Sequence, residues 1–597
     1  MAGKMGNQMP MKKRSKEENI KTLSRLYVYL SKYKKVLIGA VLLTVLSNLA
    51  NLVAPKLIQK CVSILEKNVS EINLTGFFGF CVLLVLFYLV TYVLSIALSK
   101  IMIRLGQNVG YDLRKSAFKK FDKLPVSYFD THQGGDVISR FTYDIEMVST
   151  SIGQTFVSFA TSMITLVGSL TMMISLNITL MASFMITIPI SIMLGFVWSK
   201  KVRVFNKQKS KKVGELNGFV EDKISGHKTV KVYSQEANIA SAFDVKNEEW
   251  GKAQYAAEFK GAGVLRGGLQ FVNHLATAFL YTHSCVLLLK GQITLAEVSG
   301  FILYAKMFTS IVNELSTIIS DIQSSLATAD RVFDFIDEKE EREDKKDAVE
   351  LVSGEGKVSI KNVGFRYDSN REILKEVTFE AKPNSITAIV GHTGAGKTTL
   401  INLLMRFYHV NEGGIYFDGH NIEDLTKESL RRNCSMVLQD TWLFSGSIYE
   451  NIAYGKEGAT LEDVIRVAKA VSMHDYITSL PGGYDTVITE DSINISKGQI
   501  QLITIARAML QDSKILILDE ATSNVDTLTE IHVQNSIKEL MKDKTSFVIA
   551  HRLSTIKNAD NILVFDKGQI IESGTHEELL DKGQSYYKLY NSQFEAV

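Results

Sequence analysis

The stretch Gly391–Thr399, Gly-His-Thr-Gly-Ala-Gly-Lys-Thr-Thr, has the residue types and spacing of a phosphate-binding loop. The apolar, β-branched residues 385–390 before it predict a buried strand, and the apolar residues 399–405 after it predict a helix. Between a strand and a helix N-terminus, glycine N–H groups can approach phosphate oxygens, and the helix dipole adds partial positive charge. The loop therefore predicts a nucleoside triphosphate site, in which Lys397 reaches the β- and γ-phosphates and the Thr398 hydroxyl holds Mg²⁺.

Two adjacent acids follow another apolar stretch, residues 515–518, which also predicts a buried strand. Asp519 can hold the Mg²⁺ shell, because carboxylate oxygens are ligands that this hard cation prefers. Glu520 can orient and deprotonate a water molecule in line with the γ-phosphate. A metal ligand and a base beside the same phosphate predict hydrolysis of the bound nucleotide.

Three further side chains could complete an ATP site. Gln439 follows the apolar residues 436–438 and could sense the metal and the γ-phosphate. His551 follows the apolar residues 547–550 and could clamp the γ-phosphate. Tyr367 offers an aromatic face that could stack on adenine. Taken singly, a His or a Gln after a strand is usually structural, so these assignments depend on the phosphate loop.

The elements that position these residues occupy only part of the 597-residue chain, whose length suggests several domains. Hydrophobic residues make up 46% of the chain and charged residues 22%, a mixture that indicates a membrane part joined to a soluble part. The formal net charge is +3, which is too close to balance to indicate a nucleic-acid partner. The composition therefore predicts a membrane protein with a soluble domain and no nucleic acid.

Long apolar segments in the first half of the chain predict membrane helices. One of them is too long for a single crossing, because at 1.5 Å per residue it would run about 66 Å, roughly twice a 30 Å hydrocarbon core. Ser175-Leu176-Asn177 interrupts it, so we expect two helices joined by a tight outer turn and six membrane helices altogether. The apolar segments are residues 36–58, 76–102, 155–198, 266–289 and 293–320.

The distribution of Lys and Arg predicts the orientation in the membrane. The basic residues 1–35 and the Lys- and Arg-containing loops 103–154 and 199–265 should be cytoplasmic, whereas the outer loops are short and poor in basic residues. Apolar residues at helical spacing within 1–35 predict an amphipathic helix on the membrane surface. Both long loops lack Gly/Pro/Ser-rich stretches, so we expect helical extensions below the bilayer. The N- and C-termini are then cytoplasmic, in what we expect to be a bacterial plasma membrane.

These features divide the chain into predicted domains. Residues 1–35 form a basic segment with an interfacial helix, and residues 36–325 form the transmembrane domain. Residues 326–355 form a linker whose charged run, 337–347, is typical of solvated connectors. Residues 356–597 alternate strands and helices, which predicts a largely parallel α/β sheet. The predicted fold class is a membrane all-α domain of six transmembrane helices with long cytoplasmic helical extensions, followed by an α/β P-loop ATPase domain.

The motifs of the soluble domain occur in the order found in ATP-binding cassette (ABC) transporters. After the phosphate loop come Gln439, Ile-Ser-Lys-Gly-Gln at 495–499, Asp519-Glu520, Ser-Asn-Val-Asp at 523–526 and His551. In the membrane part, residues 128–140 and 217–233 resemble the first and second cytoplasmic hairpins of ABC exporters. The chain resembles an ABC exporter half-transporter, six membrane helices fused to one nucleotide-binding domain, and in particular a subunit of heterodimeric bacterial multidrug exporters.

The resemblance implies that ATP and Mg²⁺ bind between the phosphate loop of one chain and the signature segment of a second half-transporter. The family's signature is Leu-Ser-Gly-Gly-Gln, and this chain has Ile495 and Lys497 at its first and third positions. Lys497 could attract phosphate, or its bulk could displace the backbone donors of Ser496 and Gly498. An altered signature beside an intact catalytic half favours a heterodimer, and a homodimer stays possible.

The same resemblance assigns roles to particular residues. The residues expected in catalysis are Glu520, His551 and Gln439, and those expected to hold the metal are Thr398, Gln439 and Asp519. The residues expected to bind ATP are Tyr367, Gly391, Thr393, Gly394, Ala395, Gly396, Lys397, Thr398 and Thr399, with Ser496, Gly498 and Gln499 of the signature.

The activity implied by the resemblance is ATP hydrolysis that drives export of amphipathic small molecules, drugs or lipids, by alternating access. Coupling helices near Tyr128 and within 220–226 would transmit ATP binding to the membrane part. The alternatives are a peptide exporter and an ATP-gated receptor or channel of ABC type, and the intact Glu520 disfavours the channel. Lys306 and Glu314 are candidate functional residues because they lie in membrane segments, although a structural, water-facing role fits them as well.

Overall fold

The structure, a computed structural model, describes residues 15–66, 73–351, 354–367, 371–439, 441–488, 495–519, 527–549 and 556–594. Two compact units are present, one made of Met1–Lys123 with His132–Lys339 and the other of Leu124–Thr131 with Glu340–Val597. The described part of the first unit is helical, and the second contains the β-sheets. The predicted order, a helical membrane part followed by an α/β part, is confirmed.

Long helices make up the first unit. Among the described residues, five helical segments are long and apolar enough to cross a membrane: Lys34–Leu65, Leu74–Phe121, Gly134–Leu176, Glu236–Leu289 and Leu295–Asp337. The remaining predicted crossing falls on the continuous helix Ile178–Ser225, whose side chains are described only in part. In chain order the helices are α1 (Lys16–Ser31), α2 (Lys34–Leu65), α3 (Leu74–Phe121), α4 (Val126–Thr131, in the second unit), α5 (Gly134–Ser139), α6 (Ile145–Thr150), α7 (Phe156–Leu176), α8 (Ile178–Ser225), α9 (His227–Val232), α10 (Glu236–Tyr255), α11 (Val264–Leu289) and α12 (Leu295–Asp337).

The predicted break in the longest apolar segment is confirmed at Asn177, which separates α7 from α8. Its backbone is extended, with φ −160° and ψ 119°. Its side-chain oxygen accepts hydrogen bonds from the backbone N–H groups of Thr179 at 2.9 Å and Leu180 at 3.0 Å. Asn177 therefore caps the N-terminus of α8, which is the local reason that one apolar run becomes two helices.

The helical extensions predicted beyond the bilayer are also present. Helices α3 and α8 have 48 residues each, which at 1.5 Å per residue is about 72 Å, more than twice the thickness of a hydrocarbon core. Gly106 of α3 packs closely on Ser149 of α6, because a Cβ added to Gly106 would lie 2.4 Å from the Ser149 carbonyl oxygen. Only glycine permits this contact between the two helices.

Helix α2 packs tightly between α7 and α12. A Cβ added to Gly168 of α7 would lie 2.2 Å from Leu52 Cδ1 of α2. The buried Tyr304 of α12 donates a hydrogen bond to the Leu52 carbonyl oxygen at 2.6 Å. The Thr165 hydroxyl donates to Asn48 Oδ1 at 2.8 Å. Hydrogen bonds between helices satisfy polar side chains that apolar surroundings would otherwise leave unpaired.

The range predicted as linker, 326–355, differs from the structure in its first part. Helix α12 continues to Asp337, so residues 326–337 are helical. From Glu340 onward the charged run belongs to the second unit, where the Glu341 carboxylate lies 2.9 Å from the Arg431 guanidinium. Further contacts join Lys345 to Asp424 at 2.5 Å and the Asp344 carboxylate to the Lys427 backbone N–H at 3.0 Å. Most residues of the run are nevertheless exposed, in agreement with its predicted solvated character, and these contacts join it to the domain at a few points.

The second unit is built on a six-stranded sheet of order β12-β11-β3-β10-β9-β6. All its neighbouring strands are parallel except β11 and β12. A separate antiparallel sheet of order β2-β1-β4-β5 was not anticipated from the sequence. The strands are β1 (Val358–Arg366), β2 (Glu372–Ala381), β3 (Ile386–Gly391), β4 (Glu412–Phe417), β5 (His420–Asn421), β6 (Cys434–Val437), β7 (Gly446–Ser447), β8 (Val487–Ile488), β9 (Ile515–Asp519), β10 (Thr545–Ile549), β11 (Asn561–Asp566) and β12 (Gln569–Gly574).

Helices and the second sheet cover both faces of the six-stranded sheet. Alternate residues of its central strands enter two hydrophobic cores, Val390 and Leu518 on one face and Ile389 and Ile517 on the other. Burial of both faces explains why the strands read as continuous apolar runs. The helices of this unit after α12 are α13 (Lys397–Leu404), α14 (Lys427–Arg432), α15 (Ile448–Ala453), α16 (Leu461–Ala470), α17 (His474–Ser479), α18 (Lys497–Gln511), α19 (Thr527–Met541), α20 (His576–Asp581) and α21 (Ser585–Phe594).

Candidate nucleotide-binding site

The phosphate loop joins β3 to α13, as the sequence predicts. Gly391 has φ +150°, and a Cβ there would lie 2.2 Å from the Phe565 carbonyl oxygen of β11. Gly396 has φ +103°, and a Cβ there would lie 2.7 Å from Leu374 Cδ2. Both positions therefore require glycine for backbone angle and for space. His392, Thr393, Gly394 and Thr398 are exposed, whereas Ala395, Gly396, Lys397 and Thr399 are buried.

Lys397 lies folded under this loop. Its Nζ donates hydrogen bonds to the Gly391 carbonyl oxygen at 2.7 Å and to the His392 carbonyl oxygen at 3.0 Å. Burial lowers the pKa of Lys397, and the Asp519 carboxylate acts in the opposite direction. The ammonium group is thus held inside the curve of the loop, near a carboxylate that comes from another strand.

Three of the predicted elements meet at the carboxyl edge of the six-stranded sheet. Ile549 of β10 pairs with both Ile389 of β3 and Asp519 of β9. On the other side of β9, Val437 of β6 pairs with Leu518, so Gln439 follows at the same edge. The carboxyl ends of parallel strands are where α/β proteins bind ligands. The structure therefore brings the phosphate loop, Asp519 and Gln439 to one edge.

The donors at this edge fit Mg²⁺. Thr398 and Gln439 are exposed and Asp519 is half-buried, and hydroxyl, amide and carboxylate oxygens are hard ligands suited to this ion. Among the described residues no three His, Cys, Asp or Glu side chains gather into a metal cluster. Mg²⁺ is usually bound through one or two carboxylates together with substrate phosphates and water, so Asp519 would be a carboxylate ligand of such a site.

Glu520 and His551 lie outside the described residues. The strands that precede them are described: β9 ends at Asp519 and β10 ends at Ile549, and these two residues pair with each other. The roles of Glu520 and His551 therefore stay predictions, which depend on the positions of these residues after two neighbouring strands.

Tyr367 follows β1 and belongs to an aromatic cluster. Its ring lies edge-on to Phe365, at 4.8 Å between centroids, and to Tyr408, at 4.9 Å. Its hydroxyl oxygen is 3.1 Å from Thr399 Oγ1, at the end of the phosphate loop. The side chain is 50% exposed, so its aromatic surface is accessible to a base. This placement beside the loop agrees with the predicted adenine contact.

Tyr408 extends this cluster to α4, a connection that the sequence did not reveal. The Tyr408 hydroxyl donates a hydrogen bond to Asp130 Oδ2 at 2.5 Å. Burial and the Asp130 carboxylate both raise the pKa of Tyr408. The two residues are 278 positions apart, so no local spacing could indicate their contact. Tyr367 contacts Tyr408, and Tyr408 contacts Asp130. These contacts connect the predicted adenine site to α4, a helix that we expected to couple the domains.

The signature segment forms the N-terminus of α18. Ser496 is the N-cap: its Oγ accepts from the Gln499 backbone N–H at 3.2 Å, and its own N–H donates to Gln499 Oε1 at 2.8 Å. This capping box fixes the backbone of the segment. Gly498 is buried and Lys497 is exposed at the first helical position. The segment thus has a capped helical backbone with lysine at this position, and the charge of the lysine opposes the helix dipole there.

A second group missed by the sequence analysis surrounds Arg507 of α18. Its Nε donates to the Asn451 carbonyl oxygen at 2.8 Å, and Nη1 donates to the Trp442 carbonyl oxygen at 3.1 Å. Asn451 in turn accepts from the Phe444 backbone N–H at 2.8 Å. Burial lowers the pKa of Arg507. These bonds tie the loop that follows Gln439 to the helix that begins with the signature.

Comparison with known proteins gives matches to both units. The family described as "ABC transporter transmembrane region" matches residues 37–312, and the family described as "ABC transporter" matches residues 374–523. The uncharacterized ABC transporter ATP-binding protein YfiC of Bacillus subtilis (strain 168) is 38% identical over 588 residues, which are 98% of this chain and 96% of that protein.

Two other similar proteins have more specific descriptions. The fatty acid ABC transporter ATP-binding/permease protein of Mycobacterium tuberculosis (strain CDC 1551 / Oshkosh) is 39% identical over 496 residues, 83% of this chain and 77% of that protein. A solved structure of a bacterial Atm1-family ABC exporter with ATP bound is similar with a TM-score of 0.75 and 27% identity, over 94% of this chain and 98% of that chain.

Proposed function

Since the chain belongs to the ABC transporter family, we propose that it exports amphipathic small molecules, drugs or lipids, as one half of a dimeric exporter that works by alternating access. Family membership implies a membrane-embedded transporter that binds and hydrolyses ATP. The observations that support export are one chain with long membrane helices before an ATPase domain and its similarity over 94% of its length to the solved Atm1-family exporter. The proposed orientation in a cell membrane has both termini in the cytoplasm, where ATP is present.

We assign the chemistry of the ATPase site as follows. The phosphate loop residues with Lys397 bind the phosphates, and Tyr367 stacks on adenine. Glu520 is the general base for water, and His551 and Gln439 contact the γ-phosphate. Thr398, Gln439 and Asp519 hold Mg²⁺, which neutralises charge on the β- and γ-phosphate oxygens. The site is supported by the meeting of the phosphate loop, Asp519 and Gln439 at one edge of the sheet.

The partner in this proposal is a second, homologous half-transporter. Ser496, Gly498 and Gln499 of one chain would face the phosphate loop of the other. In a homodimer both composite sites would carry Lys497, whose long cationic side chain replaces a small residue beside the γ-phosphate. The capping box keeps the Ser496 backbone in place, so the difference lies in the charge and bulk of the side chain. We therefore favour a heterodimer in which the partner supplies an intact signature.

The test is expression of this chain alone and with a homologous half-transporter encoded beside it, each purified into nanodiscs. We expect little ATPase activity from the chain alone. Co-expression should give activity that an amphipathic substrate stimulates, and Glu520→Gln in this chain should remove it. A stable ATPase made only of this subunit and stimulated by substrate would contradict the heterodimer. Activity that no amphipathic compound stimulates would favour the peptide exporter or the ATP-gated channel.

The contact between Tyr408 and Asp130 predicts a specific loss of coupling. Tyr408→Phe keeps the ring against Tyr367 but removes the hydroxyl that donates to Asp130. A hydrogen bond to a charged group contributes about 1.5–3 kcal/mol, so a bond made in one transport state shifts the balance of states by about tenfold or more. We expect stimulation of ATPase by substrate to fall at least about threefold, while the KM for ATP changes little.

Asp130→Ala should reproduce this loss, because it removes the acceptor of the same bond. Tyr587→Phe, at an exposed tyrosine of α21, is the matched control and should leave stimulation unchanged. Both ATPase stimulation and transport into vesicles would be measured. If substrate stimulates the ATPase activity and transport of Tyr408→Phe as strongly as in the unaltered chain, the hydrogen bond does not contribute to coupling.

A further inference from the structure

A cavity of about 590 Å³ lies inside the first unit, between α11 and α12. Its volume is within the roughly 300–1,000 Å³ typical of small-molecule sites. The lining includes apolar side chains, among them Phe184 of α8, Leu280 of α11, and Ile302 and Phe308 of α12. It also includes polar side chains, which are Asn273, His274, Thr277, Lys306, Thr309 and Ser310. The cavity lining thus combines apolar surface with hydrogen-bonding groups and one lysine.

The depth of Lys306 makes its charge significant. It lies twelve residues after Thr294, the N-cap of α12, which at 1.5 Å per residue is about 18 Å into the helix. His274 lies fifteen residues before Leu289, the last residue of α11, or about 22 Å from that end. In a 30 Å hydrocarbon core these distances would leave Lys306 about 12 Å and His274 about 8 Å from the opposite surface, so Lys306 is the deeper of the two. A cation at this depth requires an anion or water beside it.

No acid of the cavity lining supplies that anion. All the residues that line it are neutral or basic. Within the described part of the chain, Lys306 takes part in none of the ion pairs. Glu314 is the nearest acid along α12 and is exposed, and it lies eight residues further, about 12 Å along the axis. Lys306 is exposed, so water can reach its ammonium group, and no carboxylate of the cavity lining competes with an external anion for this charge.

We propose that this cavity binds an amphiphile with one anionic headgroup, a carboxylate or a phosphate. The headgroup lies at Lys306 and accepts hydrogen bonds from the neighbouring hydroxyl and amide groups, and the alkyl tail lies against the apolar side chains of the lining. This inference depends on the export function proposed above and narrows its substrate class. Lys306 is exposed, so water can solvate its ammonium group, and a neutral amphiphile would displace that water without supplying a counter-charge. The cavity therefore favours an amphiphile whose headgroup is negatively charged.

The experiment compares ligands that differ only in charge, using the purified dimer that contains this chain in nanodiscs of neutral lipid. Radiolabelled palmitate and hexadecyl phosphate are the anionic probes, and hexadecanol is the neutral probe of the same chain length. Acetate and inorganic phosphate are the headgroups without a tail. We expect saturable binding of both anionic amphiphiles, at least about tenfold tighter than that of hexadecanol, and no binding of the headgroups alone.

The matched variant is Lys306→Gln, which keeps much of the length of the side chain and removes its charge. It should weaken binding of palmitate about tenfold and leave binding of hexadecanol unchanged. Lys306→Arg should restore palmitate binding. Lys290→Gln, at an exposed lysine that follows α11, is the control and should bind palmitate as the unaltered chain does. Basal ATPase and the melting temperature show whether each variant is folded.

Different failures have different meanings. Equal affinity for palmitate and hexadecanol, or unchanged palmitate binding in Lys306→Gln, would overturn the anionic cavity. If one of these results is obtained and the protein still exports a neutral amphiphile, the proposed export function is supported although the anionic binding site is not. If binding is charge-selective but anionic amphiphiles stimulate neither ATPase nor transport, the proposed binding site in the cavity is supported. The proposal that the protein exports anionic amphiphiles is then contradicted.

Discussion

Glu520→Gln is expected to lower ATP hydrolysis at least about tenfold while ATP binding is kept, because a positioned general base contributes about 10²–10⁴-fold to such a reaction. The amide has nearly the shape of the carboxylate but cannot accept the proton of the attacking water. Asp519 and Lys397 are unchanged in this variant, so the proposed metal and phosphate contacts stay. The nucleotide should therefore remain bound and hold the two ATPase domains in a closed state.

The measurement is single-turnover hydrolysis together with equilibrium binding of labelled ATP, on the dimer that contains this chain. Glu577→Gln, at an exposed acid in the first turn of α20, is the control and should hydrolyse ATP normally. Glu520→Asp should recover little activity, since a shorter side chain moves the carboxylate away from the water. Near-normal hydrolysis in Glu520→Gln would show that another group is the base.

Lys397→Met is expected to weaken ATP binding itself, at least about tenfold, because it removes a charge-assisted contact with the phosphates. In the structure Nζ is buried and lies 2.7 Å from the Gly391 carbonyl oxygen and 3.0 Å from that of His392. Lys397 therefore also holds the phosphate loop in its curved conformation by bonding two of its carbonyl oxygens. Methionine retains most of the side-chain volume but supplies neither the charge nor the two hydrogen bonds.

Equilibrium binding of ATP and hydrolysis should both fall in Lys397→Met, in contrast to Glu520→Gln, in which binding is kept. Lys375→Met, at an exposed lysine of β2, is the control with the same change in charge. Thermal melting separates a loss of ATP affinity from a loss of fold. Unchanged ATP affinity in a folded Lys397→Met protein would contradict the assignment of this lysine to the phosphates.

Local sequence was sufficient for those features that depend on neighbouring residues. The phosphate loop was predicted because its glycines, its lysine and the flanking strand and helix lie within one short stretch. The helix break at Asn177 was predicted for the same reason, since a polar residue that caps the next helix interrupts an apolar run. The family follows from motifs whose order along the chain is itself sequence information.

Tertiary structure alone decided the contacts between distant segments. Tyr408 reaches Asp130 across 278 positions, and Arg507 reaches Asn451 across 56. The cavity at Lys306 depends on how α8, α11 and α12 pack. The sequence therefore placed a lysine in a membrane segment but could not show which side chains from other helices line the cavity with it. Residue types and spacing set the local backbone and its possible chemistry. Which side chains meet depends on the packing of whole helices and sheets, because that packing brings residues together regardless of their separation along the chain.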